Sequence, residues 1–203
     1  MEDSRAAGLA TAGVTTVAVA DALSEERVGE QSPAIEHEAP PIEAVELSKV
    51  PDAVEQALAS LAPEVLKKLN NSPEYVEGIG PIYSQTLKGI GISTLLSLLK
   101  HGAVPEGRAE IVERSGISSK LILEWVNHID LYRIKGVGSE YVDLLEAAGV
   151  DTVVELATRN PADLHEKVVA VNEEKKLVRR LPDLSQVQEW VEQAKELPRV
   201  ISY

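Results

Sequence analysis

Lys135-Gly136-Val137-Gly138-Ser139-Glu140-Tyr141-Val142-Asp143-Leu144-Leu145-Glu146-Ala147-Ala148-Gly149-Val150 is the stretch whose reading decides the fold. Two glycines flank one aliphatic residue, a helix-forming run follows, and the run stops at Gly149 before Asp151-Thr152 can open another helix. The pattern predicts a helix, a tight hairpin and a second helix. Gly136 and Gly138 suit backbone angles that a Cβ disfavours, and Val137 between them is expected to point into the packing between helices.

The same pattern stands earlier in the chain as Tyr75-Val76-Glu77-Gly78-Ile79-Gly80-Pro81-Ile82-Tyr83. Residues 77–99 lie over 135–157 at a shift of 58. Gly78 then meets Gly136, Gly80 meets Gly138, Tyr83 meets Tyr141, Leu87 meets Leu145, Gly91 meets Gly149 and Thr94 meets Thr152. Ile79 pairs with Val137, and Ser93 and Asp151 share an expected capping position. Glu124-Trp125-Val126 answers Glu189-Trp190-Val191 at a shift of 65, so the second half holds seven extra residues between about 158 and 183. An internal duplication accounts for this spacing. Each half is expected to end on a helix whose Trp anchors the core, since a large aromatic on an aliphatic helix contributes the most buried area.

These residues resemble the helix-hairpin-helix superfamily. The double arrangement with Leu131-Tyr132-Arg133-Ile134-Lys135-Gly136 resembles the bacterial family catalogued as domain of unknown function 4332, over about residues 74–200. The resemblance implies an all-α, tandem helix-hairpin-helix domain. It leaves function open between non-specific DNA contact, protein contact and a purely structural role, because fold does not fix function.

Working outward, the expected organisation is an acidic, Ala/Glu/Pro-rich arm and linker at 1–50, a connecting helix at 51–72, a first repeat at 73–130 and a second at 131–203. Residues 1–23 read as an Ala-rich helix or partly ordered arm, or as a segment that orders on a partner. They lack the basic start of a secretory signal, and no run approaches the ~20 apolar residues of a membrane span. Val54, Ala57, Leu58, Leu61, Val65, Leu66 and Leu69 recur at helical spacing, with Pro63 expected to kink or split the helix. Its apolar face must cover something, most simply the domain that follows.

The chain of 203 residues carries a net charge of -13. Residues 1–74 hold 14 acids against 5 bases, and residues 75–203 hold 19 against 15, so the acidity is mostly N-terminal. Such a chain repels polyanions at long range. Cysteine is absent, which removes disulfides, thiolate nucleophiles and cysteine zinc sites and fits a reducing, cytoplasmic setting.

In DNA-binding relatives of such motifs, amides at the hairpin and the start of its second helix donate to a phosphate, aided by the helix dipole. The two hairpins differ in this respect. In the first, Pro81 removes one donor, Glu77 sits just ahead, and no base follows until Lys88; Gly78, Ile79, Gly80, Gly91 and Gly149 are read as structural. In the second, Ser139 keeps its amide and adds a hydroxyl, with Arg133 and Lys135 upstream. A phosphate site would therefore use Arg133, Lys135, Gly136, Val137, Gly138 and Ser139, joined by Lys175, Lys176, Arg179 and Arg180 if these share a helical face. Both glycine turns can equally serve only to close helices tightly.

Catalysis has little support. His37, His101, His128 and His165 show neither metal-site spacing nor an evident acid partner, and Gly-Val-Gly without a preceding strand is no dinucleotide motif. A hydrolase or transferase would need a deep pocket with convergent carboxylates. The sequence therefore predicts a non-enzymatic binding or scaffold module that acts through protein contacts, with no cofactor and no metal. The alternative is weak, sequence-independent DNA or RNA binding through the second hairpin and a basic helix face. The oligomeric state is not specified.

Overall fold

The computed structural model describes residues 47–203 and is all-α, with no strand among the described residues. The expectations for residues 1–46 lie outside the described residues. Ten α-helices follow one another: α1 Asp52–Ala59, α2 Pro63–Leu69, α3 Pro81–Gly89, α4 Leu95–Gly102, α5 Pro105–Ser115, α6 Ser119–Leu131, α7 Ser139–Ala147, α8 Val153–Ala157, α9 Pro161–Lys175 and α10 Leu184–Glu196, with a single 3₁₀ turn at Pro73–Tyr75.

Proline sets many of the starts. Pro63, Pro81, Pro105 and Pro161 each open a helix, where the missing N–H is no loss and φ is already helical. Pro63 thus splits the 51–70 stretch into α1 and α2. Side chains cap α4, α6, α8 and α10. The Thr94 hydroxyl accepts from Ser97 N and the Thr152 hydroxyl from Glu155 N, at equivalent positions of the two halves. The caps are therefore these threonines and not Ser93 and Asp151, one residue earlier. Asp183 and Gln186 cap α10 reciprocally.

Equivalent glycines end the first helix after each hairpin. Gly91 (φ +92°) and Gly149 (φ +78°) adopt the left-handed conformation. Ile92 N then donates to Leu87 O and Val150 N to Leu145 O, both at 2.9 Å, satisfying carbonyls that the helix leaves open.

One continuous apolar cluster runs through both halves. α4, which buries Leu95, Leu98 and Leu99, packs on α6, which buries Trp125 and Val126, while α8, which buries Val153 and Leu156, packs on α10, which buries Trp190 and Val191. The cluster includes Val54, Ala57, Leu58, Leu61, Val65 and Leu69, so α1 and α2 belong to the core and do not merely lead to it. Polar ties reinforce the joint. Lys100 of α4 pairs with Glu55 of α1 at 2.6 Å, and Leu95 N donates to Asn71 O. The last residues return to the first half: Ser202 N donates to Ala103 O, Arg108 donates to Gly102 O and Ser202 O, and Val200 and Ile201 are buried.

Candidate interaction surface around the second hairpin

The two glycine turns share a frame. Gly78 and Gly136 have φ of +84° and +87°, and Ile79 and Val137 are buried as expected. Each turn sits against the indole of its half. A Cβ on Gly78 would lie 3.5 Å from Trp125 Nε1, and one on Gly136 would lie 3.3 Å from Trp190 Nε1. Tyr83 packs on Trp125 with centroids 5.2 Å apart, and Tyr141 packs on Trp190 at 5.1 Å. The second glycine of each pair departs from expectation. Gly80 (φ -74°) and Gly138 (φ -104°) are in ordinary conformations, and a Cβ there would meet nothing within 4 Å. Only the first glycine answers a demand of the backbone.

The surfaces of the two turns diverge. At the first, Pro81 opens α3, Ile82 beside it is 80% exposed, Glu77 is exposed, and Lys88 pairs with Glu74 at 3.5 Å. At the second, Lys68 of α2 donates to Ile134 O at 3.2 Å and Val137 O at 2.9 Å, with its Nζ 5.7 Å from the centre of the Tyr132 ring. Burial lowers the Lys68 pKa to about 8. Lys135 is exposed but pairs with Glu64 at 3.0 Å, and its backbone N–H donates to Gln193 Oε1. The sequence reading missed Lys68. Its spacing on α2 marks it as a surface lysine, and only the packing of α2 over the turn gives it carbonyls to cap.

Arg133 does not belong to any phosphate site. Its side chain is fully buried, with Nε donating to Asp130 Oδ1 at 2.8 Å, Nη2 2.7 Å from the same oxygen, and Nη1 donating to Pro198 O at 3.1 Å. The other oxygen of Asp130 accepts from Val153 N. A buried guanidinium needs such a partner set, and Asp130, three residues upstream, was the available signal.

The basic cluster is not a helical face. α9 ends at Lys175, Lys176 turns left-handed (φ +55°), and residues 177–182 form an irregular connection. The inserted length lies in this connection and in α9, which has 15 residues against 11 in α5. The connection is tied down nonetheless. Asn172 Oδ1 accepts from Val178 N at 2.8 Å and Asn172 Nδ2 donates to Val178 O at 3.1 Å, with Val178 buried. His165 Nε2 meets Pro182 O at 3.2 Å, and Tyr141 Oη donates to Arg180 O at 3.2 Å. This last bond ties the connection to α7 at Tyr141. Leu177, Leu181 and Leu184 stay exposed, as do Lys175, Lys176, Arg179 and Arg180. None of these four cations forms an ion pair with a described residue, whereas the exposed Lys49, Lys88, Lys135 and Lys195 each do.

One histidine has an acid partner that its sequence neighbourhood does not reveal. His128 Nε2 lies 2.9 Å from Glu146 Oε2, eighteen residues on, while its Nδ1 is buried without a partner. Burial also raises the nearby Asp143 carboxyl above the usual range. Among the described residues no group of three or more His, Asp or Glu side chains is placed to hold a metal ion, and no helix is long and apolar enough to cross a membrane.

A family model described as a domain of unknown function, DUF4332, matches residues 77–197. No solved structure matches the chain.

Proposed function

Since this chain belongs to the DUF4332 family of unknown function, we propose that it is a non-enzymatic binding or scaffold module acting through protein–protein contacts, in a reducing, cytoplasmic setting. The observation that carries the reading is the connection between α9 and α10. Buried hydrogen bonds from Asn172 hold it in place while it leaves Leu177, Leu181 and Leu184 partly exposed, at 36%, 36% and 39% of their surface. Ordering a segment costs conformational entropy, and an ordered segment that displays apolar side chains together is typical of a contact surface. Proteins supply the apolar complement.

A second reading, weak nucleic-acid binding, rests on the Tyr141–Arg180 bond. It brings Arg180 beside the start of α7, whose first amides have no intrahelical partner. The reading has lost Arg133 and the common helical face, and Lys135 is engaged by Glu64.

Two measurements on the full chain separate these readings. Titration of labelled duplex and single-stranded DNA at low and moderate salt is expected to give no salt-sensitive complex. A complex that weakens steeply with salt and with Lys135→Glu or Arg179→Glu would replace the first reading by the second. A photo-cross-linking residue at Leu181 is expected to trap a protein in the native extract, and an adduct with nucleic acid alone would refute the protein-contact reading.

A further inference from the structure

We infer that the α9–α10 connection is a docking site for an acidic protein segment that carries apolar side chains between its carboxylates. The inference rests on the protein-contact reading above and specifies the chemistry of the partner. Lys175, Lys176, Arg179 and Arg180 place four cations within six residues of a chain in which acids outnumber bases by 33 to 20. Lys49, Lys88, Lys135 and Lys195 sit on carboxylates, whereas these four, like the scattered Lys67, Lys120 and Lys167, have none among the described residues, and these four stand together. Asp183, on which Arg180 acts at a distance, is engaged in the cap of α10, its carboxylate accepting from Ser185 Oγ and Gln186 N. Glu173 and Glu174 are exposed, directly precede Lys175, and soften the field of the cluster without an ion pair to it. The surface therefore asks for carboxylates from outside.

The leucines decide which anion fits. Leu177 and Leu181 alternate with the cations, and Leu184 opens the next helix. A nucleic acid would find cations here for its phosphates but no aromatic side chain in residues 175–184 on which to stack its bases, and it would leave the leucines without an apolar partner. An acidic peptide with leucine-like side chains covers the apolar groups and answers the charges together. The net charge of -13 repels either anion at long range, and screening over about 8 Å at physiological ionic strength confines that penalty. The Asn172–Val178 clamp and the His165 and Tyr141 bonds preorganise the backbone, which lowers the ordering cost of binding.

The probe is a fluorescein-labelled peptide of five Glu-Glu-Leu triplets, compared with one of five Glu-Glu-Ser triplets, titrated with the full chain at moderate salt. The Leu peptide is expected to bind at least about tenfold more tightly than the Ser peptide, and to lose at least about tenfold with Arg179→Glu/Arg180→Glu and, separately, with Leu177→Ser/Leu181→Ser. All four positions are exposed, so unchanged far-UV circular dichroism checks folding; Lys175→Glu/Lys176→Glu is the substitute if the arginine pair fails that check. Equal binding of the two peptides, indifference to either pair of substitutions, or no binding at all would overturn the inference. So would tighter binding to a 20-base-pair duplex or to phosphatidylglycerol vesicles that the same substitutions abolish. Failure of the peptide while Leu181 still cross-links a protein would remove the partner chemistry and leave the protein-contact reading standing; loss of both would remove both.

Discussion

The first hairpin and the second are built on one frame and present opposite surfaces. Both turn on a left-handed glycine over a tryptophan, and both place a tyrosine on that indole. Beyond this frame they share little. The first opens its helix with proline and exposes Ile82, whereas the second opens with Ser139, is capped from below by Lys68, and has the Arg180 carbonyl hydrogen-bonded to its tyrosine. The difference teaches that the two halves share the groups that buried packing requires and differ in those that face water. Glycine, tryptophan and tyrosine recur because the indole and the turn fit each other. Pro81 and Ser139, or Ile82 and Glu140, diverge because no buried atom constrains them.

The comparison can be broken most forcefully at the tryptophans. If the frame is common, Trp125→Ala and Trp190→Ala each cost about 3–5 kcal/mol in urea unfolding of the full chain, with similar values. A large inequality would mean that one turn, and not both, depends on its indole. The glycines come next. Gly78→Ala and Gly136→Ala place a Cβ at positive φ and, for Gly136, against an indole, and are expected to cost about 1–3 kcal/mol. Gly80→Ala and Gly138→Ala are expected within about 0.5 kcal/mol of the parent protein, because neither φ nor space resists them. Equal costs within each pair would refute the division of labour between first and second glycines. The smallest effect belongs to Lys68 alone. Its folded pKa of about 8 lies below the ~10.4 of an unfolded lysine, so between these values the unfolded chain binds more protons and stability rises with pH. The urea midpoint is therefore expected to climb slightly from pH 8 to 9.5, and Lys68→Met is expected to flatten that slope. Below pH 8 the lysine contributes no slope. A slope that survives the substitution would assign it elsewhere.

Much of the fold was legible because its signals are local. Proline before a helix, glycine after one, and apolar residues at spacings of three and four announced the elements, and the recurring Gly-x-Gly with its distant Trp announced the duplication. The candidate site was legible only in outline. Arg133 reads as a free cation beside a turn until Asp130 folds under it, and the i to i+3 pair that buries both was present in the sequence. Lys175 to Arg180 reads as a helical face because the spacing permits it. Asp183 and Gln186 were the countersign, since a capping box there starts a new helix at Leu184 and forces the chain before it to turn. Lys68, Asn172 and the His128–Glu146 pair had no local signal: their partners are supplied by other elements or by a turn whose shape follows from packing.

The Asp130–Arg133 pair has a further bearing on how the molecule can be divided. Asp130 reaches forward to α8, Arg133 reaches on to Pro198, and the segment beyond Pro198 runs back to Ala103 and Arg108 in the first half. The boundary between the repeats thus passes through a knot of bonds that neither half can complete by itself. Because each half supplies partners to the other, urea is expected to unfold them in one transition, with far-UV circular dichroism and tryptophan fluorescence giving the same midpoint.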